Sequence, residues 1–182
     1  MQYIALLRGI NISRKNKIPM AELKKEFETL GFENVITYLN SGNVIFTSDI
    51  QDENTITNTI HKKIEEKFKL DIPFFIIEAS KLKELLENQP EWWGTANKEI
   101  YDNIIFIIPP TTYEEVYKAL GEPKQELEKI KEYKNNIFWS YNLKDYRKTN
   151  WWAKTANTSI SQSITIRTAN TMRKVLELCD KV

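Results

Sequence analysis

The chain has 182 residues, of which 41% are hydrophobic and 28% charged, and its formal net charge is +1. A globule of this length buries roughly 70% of its unfolded surface, and this composition is too apolar for a disordered chain. A single cysteine, Cys179, and a single histidine, His61, exclude an internal disulfide and a Cys/His zinc cluster.

The first apolar run, Tyr3 to Leu7, is apolar on both sides, as a strand covered on both faces would be. It begins too soon to follow a signal peptide. The longest apolar runs, Ile72 to Ile77 and Ile104 to Ile108, fall far short of the ~20 residues of a membrane helix, so the expected location is cytoplasmic. After the strand comes a basic loop with Arg8, Arg14, Lys15 and Lys17 and no acid before Glu22. Pro19 then opens a helix whose Met20, Leu23, Phe27 and Leu30 recur at helical spacing until Gly31.

Val35 to Leu39 and Val44 to Thr47 read as a hairpin turning at Asn40-Ser41-Gly42-Asn43, because Asn and Gly tolerate the positive φ of a tight turn. Asp52 caps a helix carrying Ile56, Ile60, Ile64 and Phe68 on one stripe, followed by a strand at Pro73 to Glu78. A short helix from Ser80 and a Pro90 to Gly94 connector come next. A strand at Tyr101 to Ile108 precedes a helix capped by Thr111 or Thr112. Strands at Leu127 to Tyr133 and Ile137 to Tyr141 turn at Asn135 and Asn136. A helix over Leu143 to Ala153, a strand at Ser163 to Arg167 and a helix over Asn170 to Cys179 complete the chain.

The order β-α-β-β-α-β therefore occurs twice, with no repeat at residue level. The expected fold is α+β: a tandem of two ferredoxin-like subdomains with mainly antiparallel sheets and an extra C-terminal helix. Residues 1–78 form the first, 79–100 a helix and connector, and 101–182 the second. Strands apolar on both faces should pack on the other half or on a second copy of the chain, which would make a homodimer.

In this topology the end of the first strand lies at the same sheet edge as the Asn40 to Asn43 turn. Arg8, Gly9, Asn11, Lys15, Lys17, Asn40, Ser41, Gly42 and Asn43 then share a rim beside a helix N-terminus, where backbone N–H groups suit an anion. Arg8 and Lys17 would supply charge. Asn11, Asn40 and Asn43 would orient a ligand, and Gly9 and Gly42 would let the backbone approach it. The same residues have local reasons to be there, since Asn and Gly serve turns and lysines are ordinarily solvated.

Positive charge also gathers over residues 144–174, giving a secondary basic patch of Arg147, Lys148 and Arg167. Trp92, Trp93, Trp139, Trp151 and Trp152 interleave there with Arg147, Lys148 and Lys154, as in base-stacking surfaces, although tryptophans more often close cores. The remainder of the chain is net acidic, which argues against a general nucleic-acid coat. His61 has no catalytic partner at a useful spacing, and Cys179 reads as a packing residue. Neither metal nor cofactor is implied. The leading expectation is a binding protein that holds a phosphate-bearing small molecule or short nucleic-acid segment at the rim. An enzyme acting on a phosphorylated metabolite there and a homodimeric interaction module are the alternatives.

The runs Tyr3-Ile4-Ala5-Leu6-Leu7-Arg8-Gly9-Ile10-Asn11, Lys15-Asn16-Lys17-Ile18-Pro19-Met20 and Tyr38-Leu39-Asn40-Ser41-Gly42-Asn43-Val44 closely resemble the bacterial family called domain of unknown function 1697. The resemblance spans essentially the whole chain and is most specific over residues 3–47. It implies two tandem ferredoxin-like subdomains in a bacterial cytosolic protein, and no established activity. Arg8, Gly9, Asn11, Lys17, Asn40, Gly42, Asn43 and Arg167 match its pattern. The chain departs where the family often has a glycine pair, here Ser13 and Arg14. It departs again where the family often has Arg-Asn-Trp-x-Thr, here Arg167-Thr168-Ala169-Asn170-Thr171.

Overall fold

The computed structural model describes residues 1–181. They form β1 (Gln2–Leu7), α1 (Met20–Thr29), β2 (Glu33–Tyr38), β3 (Asn43–Thr47), α2 (Glu53–Phe68), β4 (Phe74–Glu78), α3 (Ala79–Glu87) and β5 (Ile100–Ile107). There follow α4 (Tyr113–Leu120), β6 (Glu128–Tyr133), β7 (Asn136–Asn142), α5 (Trp151–Asn157), β8 (Ile164–Thr168) and α6 (Ala169–Cys179), with 3-10 turns at Tyr146–Lys148 and Ser159–Ser163. The fold is α+β. Among the described residues there are six α-helices and two four-stranded sheets, ordered β2-β3-β1-β4 and β6-β7-β5-β8, with every strand pair antiparallel. Among them no helix is long and apolar enough to cross a membrane.

The chain divides into two compact units. The first is Met1–Lys83 with the residues from Lys174 onward, and the second is Glu84–Arg173. In the first, Tyr3, Ala5 and Leu7 of β1 meet Leu23 and Phe27 of α1 and Ile56, Ile60 and Ile64 of α2. The i, i+4, i+8 spacing on α2 puts its three isoleucines on one face, where each burial contributes about 2 kcal/mol. In the second unit, Ile105 and Ile107 of β5 meet Val116 and Leu120 of α4 and Trp151 of α5. The alternate residues Ile4, Leu6, Ile104 and Phe106 are also fully buried, as two-sided strands require.

Local signals set the helix ends. Asp52 Oδ2 accepts the Thr55 N–H at 2.8 Å, and Thr112 with Glu115 forms a capping box on α4. Pro19 stands outside α1 with extended backbone, as its N-cap.

The two sheets correspond in register apart from an irregularity in β2 between Glu33 and Ile36, although the sequence shows no repeat. Asn43 lies opposite Leu6 and Tyr38 in the first sheet, and Asn136 lies opposite Phe106 and Tyr133 in the second. The β6–β7 turn consequently falls at Lys134-Asn135, both at positive φ, and not at Asn135-Asn136. One connection differs sharply: residues 8–19 join β1 to α1, whereas 108–112 suffice between β5 and α4. The first unit thus spends seven residues more than its frame needs.

The expected helix over Leu143 to Ala153 does not form as such. Asn142 Oδ1 accepts the Lys144 N–H at 2.9 Å, so the chain leaves β7 in a side-chain-stabilised turn. Thr149 is extended, and the helix starts only at Trp151. Long-range bonds fix that start: Asn150 N–H donates to Glu128 Oε1 at 2.7 Å, and Trp151 Nε1 donates to Gly121 O at 2.7 Å.

Candidate functional site

The extra residues between β1 and α1 build the rim. Leu7 N–H donates to Gly42 O at 2.8 Å and Arg8 N–H to Pro73 O at 2.9 Å, so the sheet grips both sides of the strand end before the loop departs. Gly9 turns the chain at φ +66°. Asn16 Nδ2 reaches back to Gly9 O at 3.0 Å, and Asn11 N–H donates to Asn16 O at 3.1 Å, closing the loop on itself. Inside that closure Ile12 and Lys15 form a bridge around Ser13 and Arg14, with Lys15 N–H donating to Ile12 O at 2.8 Å. Ser13 and Arg14 sit at φ +48° and +66°. Two successive positive φ angles make a type I′ turn, the form that suits a right-twisted hairpin. These are the positions where the family resemblance implies that a glycine pair is common. Here the glycine conformation is kept by residues with side chains, at a cost of about 1–2 kcal/mol each. In exchange the turn carries a cation.

The loop is clasped to the hairpin beside it. Asn11 Nδ2 donates to Ile18 O and to Asn40 O, both at 2.9 Å, while its Oδ1 accepts the Ile18 N–H at 2.9 Å. The structure therefore brings the loop and the Asn40 to Asn43 turn together, but Asn11 spends both amide N–H groups and its oxygen doing so. Asn43 is fully buried, and its Nδ2 donates to Tyr38 O at 2.7 Å and Ser41 Oγ at 3.3 Å. Gly42 (φ +85°) is closed in as well. A Cβ there would lie 2.7 Å from Ile10 Cδ1 and 2.8 Å from Leu7 Cβ. Asn11, Gly42 and Asn43 are thus framework, with both amide N–H groups and the side-chain oxygen of Asn11 engaged within the protein. Replacing Asn11 by Ala should lower stability by about 1–3 kcal/mol, since it orphans partly buried backbone groups. Hydrogen exchange should accelerate at residues 10–18; unchanged exchange there would show that the clasp does not hold the loop.

What remains at the surface is cationic and apolar. Arg14, Lys15, Lys17, Asn40 and Ser41 are exposed. Beside them Ile12 is 60% and Leu39 50% exposed, and Leu39 also takes a positive φ of +57°. Nothing in the sequence distinguishes Ile12 or Leu39 from core residues, because their exposure follows from a loop closure made by Asn11 and Asn16. Arg8 stands half-buried at the foot of the loop, where burial pushes its pKa below the ordinary arginine value.

The secondary basic patch is not one surface. Arg167 is 8% exposed on β8 and donates from Nη1 to Thr165 Oγ1 and Ile166 O, both at 2.9 Å. Arg147 and Lys148 are exposed on the 3-10 turn after β7. Arg147 Nε donates to Tyr146 Oη at 2.8 Å, and Lys148 pairs with Asp145 at 2.8 Å, which raises the lysine pKa. Of the tryptophans, Trp93, Trp139 and Trp151 are buried, and their indole N–H groups donate to Asn103 O, Glu128 Oε2 and Gly121 O. They are core residues, so the base-stacking reading loses them. Trp152, 40% exposed, packs on Tyr146 with ring centroids 4.5 Å apart.

His61 does have a carboxylate partner: Asp71 Oδ1 lies 2.9 Å from its Nε2, brought there by the turn between α2 and β4. No sequence motif marks a pair ten residues apart across a turn. Cys179 is buried, and desolvation pushes its thiol up to about 11, so it packs as a small apolar group.

The model of the family described as "Protein of unknown function (DUF1697)" matches residues 1–138, which include the whole rim. The chain belongs to that family. Among solved structures, the conserved bacterial protein SP0830 from Streptococcus pneumoniae is similar to it, with 29% identity, 97% of each chain covered and a TM-score of 0.85. No curated protein matches the chain.

Proposed function

We propose that this member of the family is a binding protein whose Ile12–Lys17 hairpin, with Asn40 and Ser41, receives the phosphate groups of a short nucleic-acid segment. The observation that carries the reading is the exposed tip itself. Seven residues beyond the needs of the frame are folded, through strained non-glycine positions and an asparagine clasp, into a rigid display of Arg14, Lys15 and Lys17. Such cations in open solvent suit a ligand that offers successive phosphates along a backbone. Ile12 and Leu39 beside them add apolar surface for a base or sugar. The strand order 2-3-1-4 and the β-α-β-β-α-β succession in each unit support reading both as ferredoxin-like. A lone, buried, unpaired cysteine fits a reducing cytoplasm.

Fluorescence anisotropy with labelled twelve-nucleotide RNA and DNA tests the reading. Binding should weaken steeply with salt, because each neutralised phosphate releases counterions, with a log–log slope of about −0.7 per contact for single strands. Replacing Arg14, Lys15 and Lys17 together by Ala should flatten that slope by about two to three contacts and weaken binding at least about tenfold. Binding of inorganic phosphate or nucleotides alone, with none to oligonucleotides, would shift the reading to a small phosphorylated ligand. An unchanged slope in the triple variant would overturn it.

A further inference from the structure

The second unit holds a cleft of about 680 Å³. It is lined by the Gly94–Lys98 loop, Ile100, Tyr101 and Asp102 of β5, Leu143, and the first turn of α6 as far as Arg173. That volume lies within the range of small-molecule sites. Two of its charges are held in place by the protein. Asp102 is 7% exposed, and its Oδ1 accepts the hydroxyl proton of Ser140. Among the described residues no lysine or arginine comes within ion-pair distance of it. A carboxylate withdrawn from water without a countercharge is strongly unfavourable, so this one is suited to a cation from outside.

Arg173 is immobilised in the opposite sense. Its Nη2 donates to Gly94 O at 2.7 Å and to Gln89 Oε1 at 3.5 Å, and its guanidinium carbon lies 5.9 Å from the centre of the Trp93 ring. A side chain at Gly94 would collide with that guanidinium. The first turn of α6 adds N–H groups that have no acceptor within the helix, one of which, on Thr171, is taken by Thr168 Oγ1. The cleft thus offers a buried anion, a hydrogen-bonded cation beside a helix N-terminus, and apolar surface from Ile100, Leu143 and the half-exposed Tyr101.

We propose that the cleft binds a free apolar α-amino acid, with its ammonium on Asp102, its carboxylate on Arg173 and the α6 N-terminus, and its side chain against Ile100, Tyr101 and Leu143. The proposal is independent of nucleic-acid binding at the rim. Calorimetry and thermal shift on the full chain test it with leucine and phenylalanine, against N-acetylleucine, leucinamide and glutamate. Leucine and phenylalanine should bind and raise the melting temperature, and each blocked derivative should bind at least about tenfold more weakly, as one charged contact is lost. Asp102→Asn keeps an acceptor for Ser140 and should weaken leucine binding at least about tenfold. Tyr101→Ala, at an exposed position, should weaken it about threefold or more without a loss of fold. The proposal is overturned if neither amino acid binds at millimolar concentration, if N-acetylleucine binds as tightly as leucine, or if folded Asp102→Asn binds leucine unchanged.

Discussion

Replacing Glu128 by Ala is expected to lower stability by about 3–5 kcal/mol, the range for breaking a buried charged hydrogen-bond network. Glu128 is 2% exposed at the start of β6 and collects three donors from distant parts of the second unit. Its Oε2 accepts Trp139 Nε1 at 3.0 Å, while its Oε1 accepts the N–H of Asn150 at 2.7 Å and of Lys124 at 3.1 Å. One carboxylate therefore joins β7, the start of α5 and the connection after α4. Its loss leaves a buried indole N–H and two partly buried amides without an acceptor, and a cavity beside Trp139. At ~2–4 °C per kcal/mol for a chain of this size, the melting temperature should drop by roughly 10 °C. Glu128→Gln keeps the volume and one acceptor oxygen and should cost less than half as much. If denaturant midpoints place both variants within about 0.5 kcal/mol of the parent, Glu128 does not organise this unit.

Gly42→Ala should cost about 2–4 kcal/mol, from two causes that act together. A Cβ at φ +85° is strained in itself, and here it also meets Ile10 Cδ1 and Leu7 Cβ at 2.7 and 2.8 Å. The first contact can yield by rotation of the Ile10 side chain, but the second is to an atom fixed to the β1 backbone. Gly9→Ala isolates the backbone contribution, because Gly9 has φ +66° but nothing within 4 Å of a Cβ. That variant should cost only about 1 kcal/mol. Equal costs for the two substitutions, measured by denaturant unfolding, would show that close packing of the Gly42 turn against Ile10 contributes nothing.

The contrast between these glycines shows where sequence reading stops. Asn40-Ser41-Gly42-Asn43 identifies itself as a turn, since Gly and Asn relieve positive φ locally. Whether a given glycine frees a turn, admits a ligand or lets two segments touch depends on what lies within 4 Å. For Gly42 the neighbours are Leu7 and Ile10, more than thirty residues away in sequence. Asn11 and Asn43 read equally well as ligand contacts or as framework, and the hydrogen bonds to Asn40 O, Ile18 and Tyr38 O assign them to the framework. The charge on Arg14, Lys15 and Lys17 was legible because solvated cations need no partner to stay exposed.

The helix expected over Leu143 to Ala153 has a comparable lesson. Residues such as Leu143, Tyr146 and Trp151 have helical spacing, yet the Asn142 side chain competes for the Lys144 amide, and Asn150 is tied to Glu128, Leu120 and Glu122. Local periodicity lost to one competing side-chain turn and to bonds closed across more than twenty residues.

By itself the amino-acid sequence determined the succession of elements, the cap at Asp52, the apolar faces of α1 and α2, and a basic loop set between β1 and α1. All of these follow from interactions between residues near in sequence or from the period of a helix or strand. The tertiary structure alone decided that the Ser13-Arg14 tip is a tight hairpin, that Asn11 clasps rather than reaches outward, and that Arg167 is buried. It also placed Asp102 and Arg173 on one cleft. Each of these turns on desolvation or on a partner distant in sequence, which neither composition nor periodicity encodes.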